Sequence, residues 1–409
     1  MSLNLAKAPR QAQRGLTLVE LLVAMAIGLI VTLAVTSVVI TGESHRRSTT
    51  STNDMGQSGS FAIYQLDRAV RSAGSALVQS ANNGVFGCKL NVGSILPRAS
   101  AFPAPFADNF LQAGGTSSFG NLRVAPLLIG KSMSDDDVSD VLVIMRGNGN
   151  AGGVPRRISD PGTATLLKLE SSIGFAVGDI LLMSQPGVTD CLMGQIAALD
   201  PTASPGELTL NSSGNYYTAG TTTTAATLAG STSTYVTALG TTSAGSVQFT
   251  MYGVGANNTL FSYDLLRTSG TTDASQAMAD GVQELHAIYG LDTTGDGVLD
   301  AWAGPGDTGY DIGSVMTTPA TLRQIVAVRV ALVLKSATPE SSNVTPTCDG
   351  ITTTAETACG PYRYFTGFAN AGSTSLQGEV NTSAAQKFRF RIVESTIPLR
   401  NMQLAPAPL

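Results

Sequence analysis

The stretch that decides the reading is Arg14-Gly15-Leu16-Thr17-Leu18-Val19-Glu20, followed by Leu21–Ile40, LLVAMAIGLIVTLAVTSVVI. The second segment holds 20 residues without a charge. As a helix it spans roughly 30 Å, about the hydrocarbon thickness of a bilayer. Thr32, Thr36 and Ser37 do not spoil such a helix, because their hydroxyls can bond back to its carbonyls. Glu20 sits at the edge of this apolar run, where an acid in lipid is costly and points to function. Upstream, residues 1–15 carry Lys7, Arg10 and Arg14 and no acid. A secretory signal would be shorter and would close on a small-residue cleavage site after its apolar core. An ordinary signal anchor leaves Glu20 unexplained. The remaining reading is cleavage in front of the apolar run, after Gly15.

That pattern of basic leader, glycine, apolar residue, acid five residues into the new chain and long apolar run resembles the type IV prepilin N-terminus. The resemblance implies that a prepilin peptidase cuts between Gly15 and Leu16 and that Leu16 is then N-methylated. It also implies that Glu20 meets the terminal amine of a neighbouring subunit during assembly. Opposite charges attract more strongly in low dielectric, which would offset burial of the acid. The basic leader agrees with a cytoplasmic N-terminus, so everything after Ile40 lies outside the cytoplasm.

The chain therefore divides into a leader (1–15), a membrane-spanning or filament-core helix (16–40), a continuation of that helix (41–75) and a head (76–409). Ile63, Leu66 and Val70 recur at helical spacing, and Gly74 is the expected C-cap. Continuous from Leu16 to Gly74, the helix would be roughly 90 Å long. The expected fold class is α+β, a long N-terminal helix bearing a large, β-rich antiparallel pilin-like head. Short apolar runs at Asp140–Met145 and Ile180–Met183 read as buried strands. Val247–Val254 and Leu260–Leu266 flank Gly255-Ala256-Asn257-Asn258 as a hairpin. Gln324–Lys335 is the strongest strand, with Val326, Val328, Val330, Leu332 and Leu334 on one face and only Arg329 charged in its middle, so both faces are expected to be covered. Lys387–Val393 alternates and is its expected partner. Residues 211–245, rich in Thr, Ser, Ala and Gly, read as a surface loop or irregular hairpins, and residues 91–122 as irregular.

Several short segments are similar to the minor-pilin family called PilW. They are Leu66–Gly74 with Cys88 downstream, Gly178–Ser184 with Asp190-Cys191, Tyr289–Asp292 with its Asp-Gly loop, and Thr396–Asn401. The resemblance implies a structural subunit of type IV pilus assembly that primes initiation or joins a tip complex. It is a peptidase substrate and not an enzyme. Its implied partners are other minor pilins, the major pilin, the prepilin peptidase, the inner-membrane assembly platform and a tip adhesin. Its implied location is the inner membrane, with a periplasmic head, and then the pilus. A pseudopilin of type II secretion shares the N-terminus. A membrane-anchored surface adhesin is the alternative from another class.

Composition agrees with an exported structural protein. With 24 Lys and Arg against 29 Asp and Glu, the net charge is −5, and nothing indicates a nucleic-acid surface. The two histidines, His45 and His286, offer little for catalysis, and neither G-x-S-x-G nor H-E-x-x-H occurs. Gly147–Gly152 matches G-x-G-x-x-G, but Pro155 and Pro161 follow where a helix would have to start, so a turn is expected. The four cysteines allow three connectivities. Cys348 and Cys359 are close in sequence, and their pairing would leave Cys88 with Cys191. In Asp292–Asp300, the side chains of Asp292, Thr294, Asp296 and Asp300 and the Val298 carbonyl fall at the alternating positions of a Ca²⁺ loop, with Gly297 at the sharp turn. Position twelve holds Ala303 in place of the bidentate glutamate. The two readings are a shorter Ca²⁺ loop and a metal-free Asp-Gly turn; no cofactor is required otherwise.

Overall fold

The computed structural model describes residues 17–90, 102–106, 122–149, 153–212, 216, 225–241, 245–266, 275–345, 364–365 and 385–405. Gly15, Leu16, Cys348 and Cys359 lie outside these residues. The chain separates into two compact units, residues 1–52 and 53–409.

Helix α1 runs Leu18–Arg71 over 54 residues. Between Leu21 and Ile40 it carries no charge on any side. Side chains of large residues between Leu18 and Ile40 are 52% to 76% exposed. Its hydroxyls bond as the sequence requires: Thr32 Oγ1 to the Leu29 carbonyl at 2.9 Å, Thr36 Oγ1 to Thr32 at 2.8 Å and Ser37 Oγ to Ala34 at 2.8 Å. From Asn53 onward α1 belongs to the second unit and buries one stripe there. Met55, Ala62, Leu66 and Val70 are buried, whereas Phe61 and Tyr64 face solvent. Gly74, just beyond the last turn, is left-handed at φ 74° and donates its N–H to the Met145 carbonyl. It ends the helix where the cap was expected.

In chain order the head contains β1 (Lys89–Leu90), β2 (Leu127–Gly130), β3 (Val141–Arg146), β4 (Arg156–Asp160), β5 (Leu166–Leu169), β6 (Ile180–Ser184), β7 (Asp190–Asp200) and β8 (Gly206–Leu210). There follow α2 (Ala225–Ala229), β9 (Tyr235–Gly240), β10 (Gln248–Gly255), β11 (Thr259–Asp264), β12 (Gln276–Asp280), β13 (Val282–Leu291) and β14 (Ala301–Ala303). The last elements are α3 (Ile312–Thr317), α4 (Pro319–Gln324), β15 (Ile325–Lys335) and β16 (Phe390–Pro398).

Two sheets share the main core with α1. One has the order β12-β11-β10-β3-β2, the other β14-β13-β15-β16. The expected hairpin is present: β10 and β11 pair antiparallel across a turn in which Asn257 and Asn258 take positive φ. Strand β15 is flanked by β13 and β16, both antiparallel. Its Val328, Val330, Leu332 and Leu334 enter the same core as Leu66 and Val70. Ala331 and Val333 join a smaller cluster with Ile288, Tyr364, Phe365 and Phe390 on the other face. Both faces are covered, as the run of apolar residues required. Arg329 is accommodated by Glu394 on β16, at 2.7 Å, and by the Phe365 ring 5.6 Å from its guanidinium.

The sheets are also tied by a single buried phenol. The Oη of Tyr289 on β13 accepts from the Ile129 N–H of edge strand β2 at 2.6 Å. Burial pushes this phenol well above its ordinary range. Tyr289→Phe leaves the Ile129 N–H buried and unpaired, so the substitution is expected to cost about 1–3 kcal/mol. A urea midpoint shift at constant slope checks this; an unshifted midpoint overturns it.

Of the remaining strands only β6, at Ile180–Ser184, was expected, and it is fully buried as the sequence required. Together these strands form a seven-stranded sheet, β1-β7-β6-β9-β4-β5-β8, with a further β7–β8 pairing. All its strands except β1 thereby close a ring around Ile158, Leu167, Leu181, Met183, Leu208 and Val236, with Leu228 of α2 in the same core. This ring lies in sequence between β3 and β10, which pair directly with each other. It is an insertion into the five-stranded sheet. Residues 211–245 are accordingly not all surface loop: Val236, Ala238 and Leu239 of β9 are fully buried between β6 and β4. Low intrinsic hydrophobicity did not prevent burial, because neighbouring strands supply most of the apolar surface.

Candidate functional site

The first turn of α1 brings together the groups that the N-terminal pattern singled out. Thr17 precedes the helix, and its Oγ1 accepts the Glu20 N–H at 3.3 Å while its carbonyl accepts Leu21 N–H at 3.2 Å. This fills two of the donors left open at a helix start. Glu20 is exposed in that turn, where a carboxylate is favoured by the helix dipole. Behind it the exposed apolar surface has a mean hydropathy of 2.6 over its best window, and it is the one helix among the described residues long and apolar enough to cross a membrane. An acid at the edge of such a surface is costly in lipid and marks Glu20 as a candidate functional residue.

The head carries the disulfide Cys88–Cys191, with Cα atoms 5.6 Å apart. It is the pairing left once Cys348 is assigned to Cys359. Cys88 follows α1, and Cys191 lies on β7 beside Leu90 of β1. The bond therefore fastens the inserted ring to the segment that leaves the helix. Nothing in the sequence between them announced the ring itself.

In the Asp292–Asp300 loop the acids turn inward on their own backbone. Asp292 Oδ1 accepts from Gly295 N at 2.6 Å and Oδ2 from Gly297 N at 2.7 Å. Asp296 Oδ1 accepts from Val298 N at 2.8 Å. Asp300 Oδ2 accepts the Thr293 amide at 2.8 Å, its hydroxyl at 2.9 Å and the Thr294 amide at 3.1 Å. The Thr293 hydroxyl, followed by these amides, holds the Asp300 carboxyl below its ordinary range. Gly295 and Gly297 both take positive φ, as the tight turn requires. Among the described residues, no group of three or more His, Cys, Asp or Glu side chains is arranged to hold a metal ion.

His286, the other residue of interest, is buried on β13. Its Nε2 lies 2.9 Å from Glu284 Oε2, its Nδ1 3.8 Å from Asp140 Oδ2, and its ring stacks on Tyr364 with centroids 4.5 Å apart. Asp140 also accepts the Ala287 and Ser132 amides, at 3.0 Å each. The cluster joins the start of β3 to β13. Gly147 and Gly149 lie against the Leu239 and Ala238 carbonyls, where a Cβ would stand 2.7 Å from either oxygen. These glycines admit a neighbouring strand; the rest of the G-x-G-x-x-G match falls outside the described residues.

A long, exposed apolar helix with an acid in its first turn thus continues into an antiparallel β-rich head. Residues 247–401 match the family model of the type IV pilus-assembly protein W (PilW), and residues 10–36 match the prokaryotic N-terminal methylation motif. Together the matches support a PilW-like type IV pilus minor pilin that is processed by prepilin peptidase. No curated protein and no solved structure matches the chain. The methylation motif covers Gly15, Leu16 and Glu20, whereas the inserted ring falls between the two matched segments. Pilin-family domains are structural and imply interaction with other pilus components.

Proposed function

We propose that the chain acts at the start of pilus assembly, as a priming or tip subunit. Prepilin peptidase cuts between Gly15 and Leu16, Leu16 is N-methylated, and Glu20 meets the terminal amine of an adjoining subunit. The observation that carries this reading is the exposed acid at the head of an apolar helix inside the matched methylation motif. The tip position is supported by the bulk of the head, which adds a whole strand ring to the two sheets around α1. A subunit of that size is easier to seat once at an end than to repeat along a packed shaft. Other minor pilins, the major pilin, the inner-membrane platform and a tip adhesin are the partners of this reading. The subunit waits in the inner membrane before it enters the pilus.

The test combines two measurements on one strain set. The mature protein is expected to begin at Leu16 by mass, and deletion is expected to cut pilus number severely. A mature chain that begins at Met1, or wild-type piliation without it, overturns the proposal.

For the 292–300 loop we propose a turn closed by its own amides, formed without a cation. The same unfolding temperature is expected in CaCl₂ and in EDTA. A calcium-dependent rise of several degrees would make Asp292, Asp296 and Asp300 cation ligands, because a ligand bound to the native state alone raises the midpoint.

A further inference from the structure

Along β10 the alternation puts Phe249 and Met251, both fully buried, on one face and Gln248, Thr250 and Tyr252 on the face that lines a cleft with α1. With Ser262 of β11, Gln276 of β12 and Arg146 of β3, they line this cleft of about 590 Å³. Gln65 and Arg68 of α1 form its opposite wall. A sheet surface next to a helix is ordinarily apolar, since that is where burial contributes most. Here amides, hydroxyls and guanidinium groups occupy it and leave open space instead of packing. The volume lies in the range of small-molecule sites, roughly 300–1,000 Å³.

The lining selects the ligand. Amide and hydroxyl groups offer donors and acceptors side by side, the match for vicinal hydroxyls and a poor match for an apolar molecule. Arg146 donates through Nε and Nη2 to the side-chain amide oxygen of Gln248, Oε1, which orients both side chains. Arg68 is exposed and has no ion-pair partner among the described residues. Asp264, the one acid of the lining, accepts the Leu266 amide at 3.0 Å. Two arginines against one acid leave the cleft positive in a chain of net charge −5. Phe61, 48% exposed, presents an aromatic ring at the rim. Burial raises the Tyr252 phenol, against the opposing charge of Arg146, so it stays protonated and able to donate.

We infer that this cleft binds a small sugar acid, its hydroxyls on Gln248, Thr250, Ser262 and Gln276 and its carboxylate on Arg68. This goes beyond the assembly role and does not depend on it. The site lies wholly within the second unit, residues 53–409.

Calorimetry on the full-length protein in detergent tests the inference, with sodium glucuronate, glucose and sodium sulfate as probes. Glucuronate is expected to give a saturable heat, and glucose to bind about tenfold more weakly for want of the charge-assisted bond to Arg68. Arg68→Gln, at an exposed helix position, is expected to bring glucuronate down to the glucose level. Ser262→Phe is expected to fill the cleft and abolish both signals, with the unfolding temperature reporting that the fold is intact. No saturable heat with glucuronate, equal affinity for sulfate, or an unchanged affinity in Arg68→Gln overturns the inference.

Discussion

Glu20→Leu is expected to yield a subunit that is cleaved and inserted normally but is nearly absent from sheared pili. The substitution extends the exposed apolar surface that begins at Leu18, so membrane insertion gains from it. It removes the one charged group in the first turn of α1. In the proposed assembly step that carboxylate faces the amine created by cleavage in an adjoining subunit. Breaking a pair of this kind leaves the other charge buried alone and costs roughly 3–5 kcal/mol. Each 1.4 kcal/mol is tenfold in an association constant, so incorporation falls by about a hundredfold or more. Immunoblots of sheared pili and of membranes separate the two steps. Glu43 supplies the control: it pairs loosely with Arg47 at 3.7 Å, with both side chains at least half exposed, and Glu43→Leu is expected to assemble normally. Wild-type amounts of Glu20→Leu in pili would refute the pairing.

The second large effect concerns the head. Replacing both Cys88 and Cys191 by alanine opens a cross-link that spans 103 residues. In the chain-entropy model a loop of that length adds about 4–5 kcal/mol, within the roughly 2–5 kcal/mol seen when native disulfides are removed. Alanine is preferred to serine because both positions are buried and a hydroxyl there would lack a partner. The denaturant midpoint is expected to fall accordingly. Limited proteolysis is expected to cut first within residues 153–241, since the ring loses its covalent tie while β3 and β10 remain paired. An unchanged midpoint, or first cleavage elsewhere in the head, contradicts this account of the bond.

How far the residues spoke for themselves varied with the range of the interactions involved. Strands β15 and β16 were legible as partners, because a long apolar run must be covered on both sides and an alternating strand offers a matching face. The β10–β11 hairpin was legible from Asn257-Asn258, a local turn signal. Leu66 and Val70 announced the buried stripe of α1, and Ile63 packs half-buried against the same core. Strand β9 was not legible. Tyr235–Gly240 sits among threonines, serines and glycines, and its burial comes from β6 and β4, which are distant in the chain. Strand β4 is mostly polar, with Ile158 its only residue in the ring core. At the 292–300 loop the spacing of the acids left two readings open, and the folded backbone adds which amides their carboxylates accept.

By itself, the order of residues determined the N-terminal half of the argument. Helix, apolar length and the placement of Glu20 are all local, since hydropathy and helical rise need no partner. Tertiary structure alone decided the inserted ring, the clamp between Cys88 and Cys191 in place, and the polar cleft beside α1. Each of these depends on strands meeting across long stretches of chain, where the face a side chain occupies is set by its neighbours and not by its own chemistry.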